Sequence, residues 1–353
     1  MKKWLKVALC ILLAVVLLVG GYVAYVFIDY HRLGDMTLTP EHNAGAAESG
    51  TVYTMISYNI GFGAYESDYG FFMDGGTESR AWSKERLTKN LTAISTFLQE
   101  QDADFYLLQE VDTGATRTYQ VDERAYFTEA LSGMSWVYCQ NYDSPYLMYP
   151  LLKPHGASHA GLMTFSTADI AAASRVELPI EGGFMKLLDL DRCYSVSRIP
   201  VSGSKELVLY NLHLSAYTSD GTIATEQLKL LLADMQAEYE SGNWCVAGGD
   251  FNKDLLGDSA AWFGEADQSY SWAQPIPAET FAGVDVSLAA PLDENDPVPS
   301  CRNADGPYHE GQYVLTVDGF LTTPNVTVSQ ATVLDTGFVW SDHNPVKMTF
   351  TLS

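Results

Sequence analysis

The sequence predicts an α/β (α+β) domain of mixed or antiparallel β-sheets with helices packed outside, preceded by one transmembrane helix. Three observations predict it. Strand-like runs outnumber helix-like ones, and several neighbouring strands stand too close in sequence for helical crossovers. Residues 7–28, from Val7 to Ile28, form an almost unbroken apolar run. The 353 residues are enough for one large core, and 47% hydrophobic with 18% charged residues is the composition of a folded chain.

Residues 1–6 are short and basic, with Lys2, Lys3 and Lys6. A membrane-spanning helix needs about 20 apolar residues, which the run that follows supplies. A cleaved signal peptide is the competing reading. No small-x-small site follows the run, and Tyr22, Tyr25 and Phe27 resemble an interfacial aromatic anchor. The run therefore reads as an uncleaved signal-anchor. The lysines ahead of it put the N-terminus in the cytoplasm and the remainder in an extracytoplasmic position at the cell membrane. Residues 29–50 form a linker, poor in apolar periodicity beyond residue 33 and ending in Asn-Ala-Gly-Ala-Ala-Glu-Ser-Gly. One folded domain, residues 51–353, follows without a second linker or repeat.

Within it Val52–Ile60 reads as a strand with Met55, Ser57 and Asn59 on one face. Ser83 caps a helix through Gln101, with Leu87, Leu91, Ile94 and Leu98 at helical spacing. Further strands read at Asp104–Val111, Gly161–Ser166, Cys193–Val201, Glu206–Leu214, Cys245–Gly249, Tyr313–Leu321 and Val346–Leu352. Leu228, Leu231, Leu232 and Met235 support a helix from Thr225 to Tyr239. The insert from Gly257 to Gln312, with Trp262, Phe263, Trp272 and Phe281, either shapes a cleft or covers a sheet edge.

The balance is acidic, 20 Lys+Arg against 44 Asp+Glu for a net charge of −24. Such a surface repels polyanions, so long nucleic acids are disfavoured as partners. No protein partner is inferable. Of the four cysteines beyond the apolar run, Cys193 and Cys245 fall in core strands, where a thiol behaves as a small hydrophobe; Cys139 and Cys301 complete the set. An oxidising compartment permits disulfides, sequence leaves all pairings open, and the spacing fits no zinc site.

Chemistry gathers at strand ends. Trp244-Cys245-Val246-Ala247-Gly248-Gly249-Asp250-Phe251-Asn252 is a short buried strand that breaks at paired glycines and then delivers a carboxylate and a carboxamide on one face. Alone it is an Asx-rich turn. Five other strand ends repeat the theme: Asn59, Gln109-Glu110, Asn211 with His213, Asp318, and Asp342-His343. Polar groups at the ends of apolar strands cost desolvation unless something pairs with them. One shared polar site accounts for them more simply than separate turns and core histidines do.

In this order Asn59, Gln109-Glu110, Asn211-Leu212-His213, Gly249-Asp250-Phe251-Asn252, Asp318-Gly319 and Ser341-Asp342-His343 resemble the endonuclease/exonuclease/phosphatase superfamily, over residues 51–353. That group includes DNase I-like nucleases, neutral sphingomyelinases and inositol-phosphate 5-phosphatases. The resemblance implies a four-layer sandwich of two central sheets flanked by helices, and a phosphoric ester hydrolase using Mg²⁺, with Mn²⁺ or Ca²⁺ as substitutes. It implies that Glu110 is the main metal carboxylate, with Asn59 and Asp342 near the same ion. His343 would contact the scissile phosphate, with Asp318 holding its imidazole charged. Asp250, aided by Asn252, would orient or deprotonate the attacking water. His213 would donate to a phosphate oxygen or protonate the leaving group. Asn211, Arg80, Arg117 and His155 are the candidates for substrate contact. Nucleases of this kind carry basic clefts, whereas here Asp112 follows the metal glutamate by two residues. A phospholipid headgroup or small phosphate ester is therefore expected as substrate. A cell-surface endonuclease is the runner-up, and a catalytically inactive binding domain the third reading.

Overall fold

The structure is a computed structural model and describes all residues except 1–2, 44, 183–189, 204, 217–221 and 265–271. α1 (Lys3–Asp29) holds the apolar run as one 27-residue helix, about 40 Å long at 1.5 Å per residue. None of its most apolar stretch is buried by the domain, and its mean hydropathy of 2.8 suits a bilayer span.

Fifteen strands are described: β1 (Met36–Leu38), β2 (Val52–Asn59), β3 (Phe105–Asp112), β4 (Ser135–Asp143), β5 (His159–Ser166), β6 (Ala172–Glu177), β7 (Cys193–Val201), β8 (Lys205–His213), β9 (Trp244–Asp250), β10 (Ser287–Ala289), β11 (Cys301–Arg302), β12 (Val314–Leu315), β13 (Asp318–Thr322), β14 (Val326–Val333) and β15 (Val346–Leu352). One sheet has seven strands in the order β1-β6-β7-β8-β9-β13-β10, the other six in the order β14-β15-β2-β3-β5-β4, and β11 and β12 pair separately. Only β2–β3 and β8–β9 are parallel among these pairs. Each is bridged by one long helix, α2 (Lys84–Gln101) and α4 (Thr222–Glu240), as a crossover requires. α3 (Arg124–Ala130) and α5 (Ser259–Phe263) are short.

Strand alternation builds the layers. Met55, Phe105, Leu107, Leu207, Leu209, Val246, Phe320 and Met348 fill the space between the sheets. Their neighbours Ile56, Tyr58, Tyr106 and Leu108 face outward onto Leu87, Leu91, Ile94 and Leu98 of α2. On the far side Val208, Tyr210, Cys245 and Ala247 pack on Leu228, Leu231, Leu232 and Met235 of α4. The result is a sandwich of two sheets flanked by helices. Ser83 caps α2, its hydroxyl accepting from the Arg86 amide.

The paired glycines of β9 are required by close approach. A Cβ at Gly248 would meet Leu107 Cδ1 of the opposite sheet at 2.8 Å. At Gly249, whose φ is +152°, it would lie 2.0 Å from the Leu212 carbonyl oxygen. Gly249→Ala is expected to lower stability by about 3 kcal/mol or more, read as the urea midpoint, since backbone must move to admit a methyl group.

Three expectations change. Residues 29–50 are not a free linker, because β1 pairs with β6 and Glu41 exchanges backbone hydrogen bonds with Trp136. The buried Arg175 also donates to the carbonyls of Leu33, Gly34, Gln140 and Asp191, tying the segment down. Tyr313–Leu321 is two strands, β12 and β13, in different sheets. The insert both shapes a cleft and extends a sheet edge, through Trp272 with residues 301–304 and through β10 respectively; residues 265–271 of it lie outside the described part. Cys139 and Cys193 face each other across the sheets with Sγ atoms 3.6 Å apart, as free thiols.

Candidate active site

Register brings the strand ends together. On the seven-stranded sheet Asp250 stands opposite His213 of β8 on one side and Asp318 of β13 on the other. On the six-stranded sheet Asn59 ends β2 beside Gln109 of β3. The next residue, Glu110, has a φ of +58° where a bulge breaks the β3–β5 register. A bulge re-aims a side chain, and a non-glycine residue in the left-handed region is strain that functional sites tend to hold. Ser341 donates to the Asn59 carbonyl at 2.8 Å and so fixes the turn bearing Asp342 and His343.

Asn59, Glu110, His213, Asp250, Asn252, Asp342 and His343 all line one cavity. Asn59 Nδ2 donates across the sheets to Asp250 Oδ2 at 3.1 Å and reaches Glu110 Oε1 at 3.3 Å. The Asn252 amide donates to Asp250 Oδ1 at 2.8 Å, and Asn252 Nδ2 to the Leu214 carbonyl at 2.7 Å. His343 Nδ1 is 2.8 Å from Asp318 Oδ2, which also accepts from Ser300 Oγ at 2.8 Å. His213 Nε2 lies 3.5 Å from Asp250 Oδ2, and its Nδ1 is buried without a partner among the described residues.

Burial sets the protonation states. It pushes Asp250 up to about 7, against the pull of charged His343. Burial alone would depress His343, but the Asp318 carboxylate outweighs it and holds the ring charged, well above the usual histidine value. Burial, with Arg192 and His343 nearby, holds His213 well below the usual histidine value, so it stays neutral. Burial raises Glu110, Arg117 opposes this, and Asp342 adds to it.

The candidates for substrate contact separate. Asn211 does not reach the cavity: it sits two residues before His213, deeper between the sheets, bonded to Gln109 and to the Leu108 and Met163 carbonyls. Arg80 is not in the cavity wall either, and its Nε donates to the Pro154 carbonyl. Arg117 does line the cavity, but its guanidinium is bidentate to Asp112 at 2.9 Å and stacks 3.9 Å over the Phe62 ring. His155 lines the cavity, its Nδ1–H donating to the Ser79 carbonyl at 2.8 Å.

Burial, aided by Arg117 and Arg80, pushes His155 down to about 3. The folded value is depressed, so stability is full above the unfolded value near 6.5 and falls as pH drops towards 3. Between pH 7 and pH 5 the chain is expected to lose about 2 kcal/mol through this group. Urea titrations at both pH values should show that His155→Gln loses correspondingly less.

Sequence reasoning missed Arg192, Arg302, Cys301 and Tyr142, which also line the cavity. Arg302 is caged by the carbonyls of Asn303, Gly306, Glu66 and Tyr69, and Cys301 Sγ stands 3.6 Å from His343 Nε2. The one available signal was a cation flanking an apolar run, at Asp191-Arg192.

A search of curated proteins finds no match. Among solved structures, an endonuclease/exonuclease/phosphatase from Beutenbergia cavernae is 17% identical with a TM-score of 0.54, covering 86% of this chain and 72% of its own. ANGEL2, a 2′,3′-cyclic phosphatase solved with adenosine-2′,3′-vanadate, is 15% identical with a TM-score of 0.55 over 90% of this chain and 99% of its own. TDP2 from Caenorhabditis elegans is 14% identical with a TM-score of 0.52 over 86% and 75%. At these identities the likeness is one of fold. The sequence itself matches the Endonuclease/Exonuclease/phosphatase family across residues 56–343, from within β2 to the histidine held by Asp318, and the chain belongs to that family.

Proposed function

We propose that the chain is a divalent-metal-dependent hydrolase of a phosphate ester, anchored in a membrane by α1 with its catalytic domain on the extracytoplasmic side. Members of this family hydrolyse phosphate esters and generally use divalent metal ions. The observation that carries the reading is the meeting of Asn59, Glu110, His213, Asp250, Asp342 and His343, from five strand ends and two sheets, in one cavity. An inactive binding domain commonly lacks a metal ligand or an essential acid, whereas here every expected position is filled.

The donor set fits a hard cation. Glu110, Asn59 and Asp342 offer only oxygen ligands, as Mg²⁺ prefers, with Mn²⁺ or Ca²⁺ as substitutes. Asp250, Asp318 and His343 form a buried cluster beside them, with ligand atoms within 4.8 Å of one another. A bound ion supplies charge neutralisation on the phosphoryl oxygens. The chain's own residues do the rest. Asp250, poised near neutrality, takes the proton of the attacking water, and Asn252 fixes the turn that aims it. Charged His343 donates to a phosphate oxygen. Neutral His213 fits hydrogen-bond donation better than protonation of the leaving group, because burial denies it the extra proton.

Three observations support a phospholipid headgroup or small phosphate ester. The net charge is −24, Arg192 stands in the cavity wall beside Arg117, whose charge is paired with Asp112, and Phe71, Tyr142 and Trp272 make the same wall aromatic. The full chain should be assayed with and without EDTA on sphingomyelin, phosphoinositides, nucleotides, and single- and double-stranded DNA. Metal-dependent turnover of lipids or small esters supports the proposal. DNA cleavage in their place assigns the chain to the nucleases, and no turnover of any substrate by the metal-loaded protein speaks for a binding domain.

A further inference from the structure

Among the described residues outside α1, the large apolar side chains that stand exposed are scattered, except at one hairpin. The connection from β4 to β5 closes with a Ser144 to Ser158 backbone bond of 3.0 Å and reciprocal Leu147–Gly156 bonds of 3.1 and 3.0 Å. Its tip is Met148-Tyr149-Pro150-Leu151-Leu152. Met148 is 46% exposed, Tyr149 67%, Leu151 80% and Leu152 completely. Burying such a surface in an apolar phase is worth about 1.5–3 kcal/mol per large side chain, so leaving it in water calls for an occupant.

The occupant follows from what stands beside it. Tyr22 and Tyr25 of α1 hold the hairpin: the Tyr22 hydroxyl donates to the Tyr146 carbonyl at 3.2 Å and accepts from the Met148 amide at 3.0 Å. The Tyr146 amide donates to the Tyr25 hydroxyl at 3.0 Å. α1 is about 10 Å longer than a hydrocarbon core of about 30 Å, and tyrosines near a helix end sit at the lipid–water boundary. The strapped segment from Leu33 to Glu41 keeps the helix fixed against the domain, through Arg175 and the β1–β6 pairing. With those tyrosines at the boundary, the tip would stand at the depth of the interface, where the free backbone groups of a hairpin still find water.

The same hairpin forms part of the cavity. His155, which lines it, is three residues from Leu152, a chain length of about 10 Å at most. The Tyr149 ring lies 5.7 Å from Phe72, whose neighbour Met73 is exposed and also lines the cavity. We propose that the hairpin seats Met148–Leu152 in the lipid–water interface beside α1, so that the cavity takes a lipid phosphate ester directly from the bilayer. This rests on the anchored-hydrolase reading above. The domain's acidity repels anionic surfaces, so apolar contact holds the tip, and a zwitterionic phosphocholine surface is the matching one.

The test uses the full chain in phosphatidylcholine vesicles. With Cys10→Ser to remove the exposed thiol, an environment-sensitive dye is placed at Leu152→Cys, or at Ser329→Cys on the opposite edge of the six-stranded sheet. Lipid-borne nitroxides should quench the dye at 152 about twofold or more and leave that at 329 unchanged, as expected of a side chain at the acyl boundary. The double variant Leu151→Asp/Leu152→Asp should hydrolyse sphingomyelin or a phosphoinositide carried in the vesicles about tenfold more slowly, with turnover of a soluble phosphate ester unchanged. Equal quenching at both positions in a chain that floats with the vesicles overturns the inference and leaves the anchor standing. A chain that does not float overturns both. Wild-type turnover of soluble esters with none of the vesicle lipids overturns the lipid substrate while the hydrolase reading survives.

Discussion

Glu110→Gln is expected to reduce metal-dependent hydrolysis by about 10³-fold or more, because a metal ion supplies several kcal/mol of transition-state charge stabilisation. The substitution keeps the shape of the side chain and the reach of Asn59 Nδ2, now 3.3 Å from Glu110 Oε1. What it removes is one negative charge from a wall that also bears Asp250 and Asp342. Burial and Asp342 already raise the Glu110 carboxyl, so without a cation the charge is a burden on the fold. The variant should therefore lose turnover and metal affinity while its thermal midpoint in EDTA stays level or rises. Calorimetric Mg²⁺ titration, initial rates on a soluble ester and thermal melts separate the terms. Unchanged rates with unchanged metal affinity would remove Glu110 from the site; a collapsed melting temperature would make its role structural.

The parts of the molecule legible in sequence are those where one chemical demand acts locally. Ser83 with four leucines and isoleucines at helical spacing fixes α2 without outside help. Paired glycines after an apolar run foretell close approach, and Leu107 and the Leu212 carbonyl are what approach them. The strand ends carrying Asn59, Glu110, Asp250 and His343 could be read as one site because a buried polar group needs a partner. β4 escaped notice because its outer face carries the half-buried aromatics Trp136 and Tyr138 beside inward Val137 and Cys139, so the sequence shows an apolar run where the burial alternates. β14 is an edge strand with only Val326 fully buried. The order of residues 29–50 comes from Arg175 and the β6 edge, more than a hundred residues away, and leaves no trace in local composition. Asn211 shows the limit of face arguments: it shares a face with His213, but two residues along a strand move it about 7 Å, from the cavity into the sheet interface.

His343→Ala is expected to lower turnover by about 10²–10⁴-fold, the range for a positioned acid–base group. Asp318→Asn tests why. In the native chain His343 is buried, which opposes its charge, and the Asp318 carboxylate at 2.8 Å overrides that. Its folded value is raised, so the charged form is complete at neutral pH and is lost only as pH climbs towards that raised value. Asparagine keeps the shape and can still face the ring, but it withdraws the countercharge, and burial then drives His343 down. Turnover in Asp318→Asn should accordingly fall at neutral pH, and its alkaline limb should move to lower pH than in the wild type. His343→Ala should be weak throughout, with no such limb. A profile for Asp318→Asn that keeps the wild-type limb at full amplitude would mean that the ring works uncharged. The task of stabilising the phosphate would then pass to the cations in the same wall, Arg117 and Arg192.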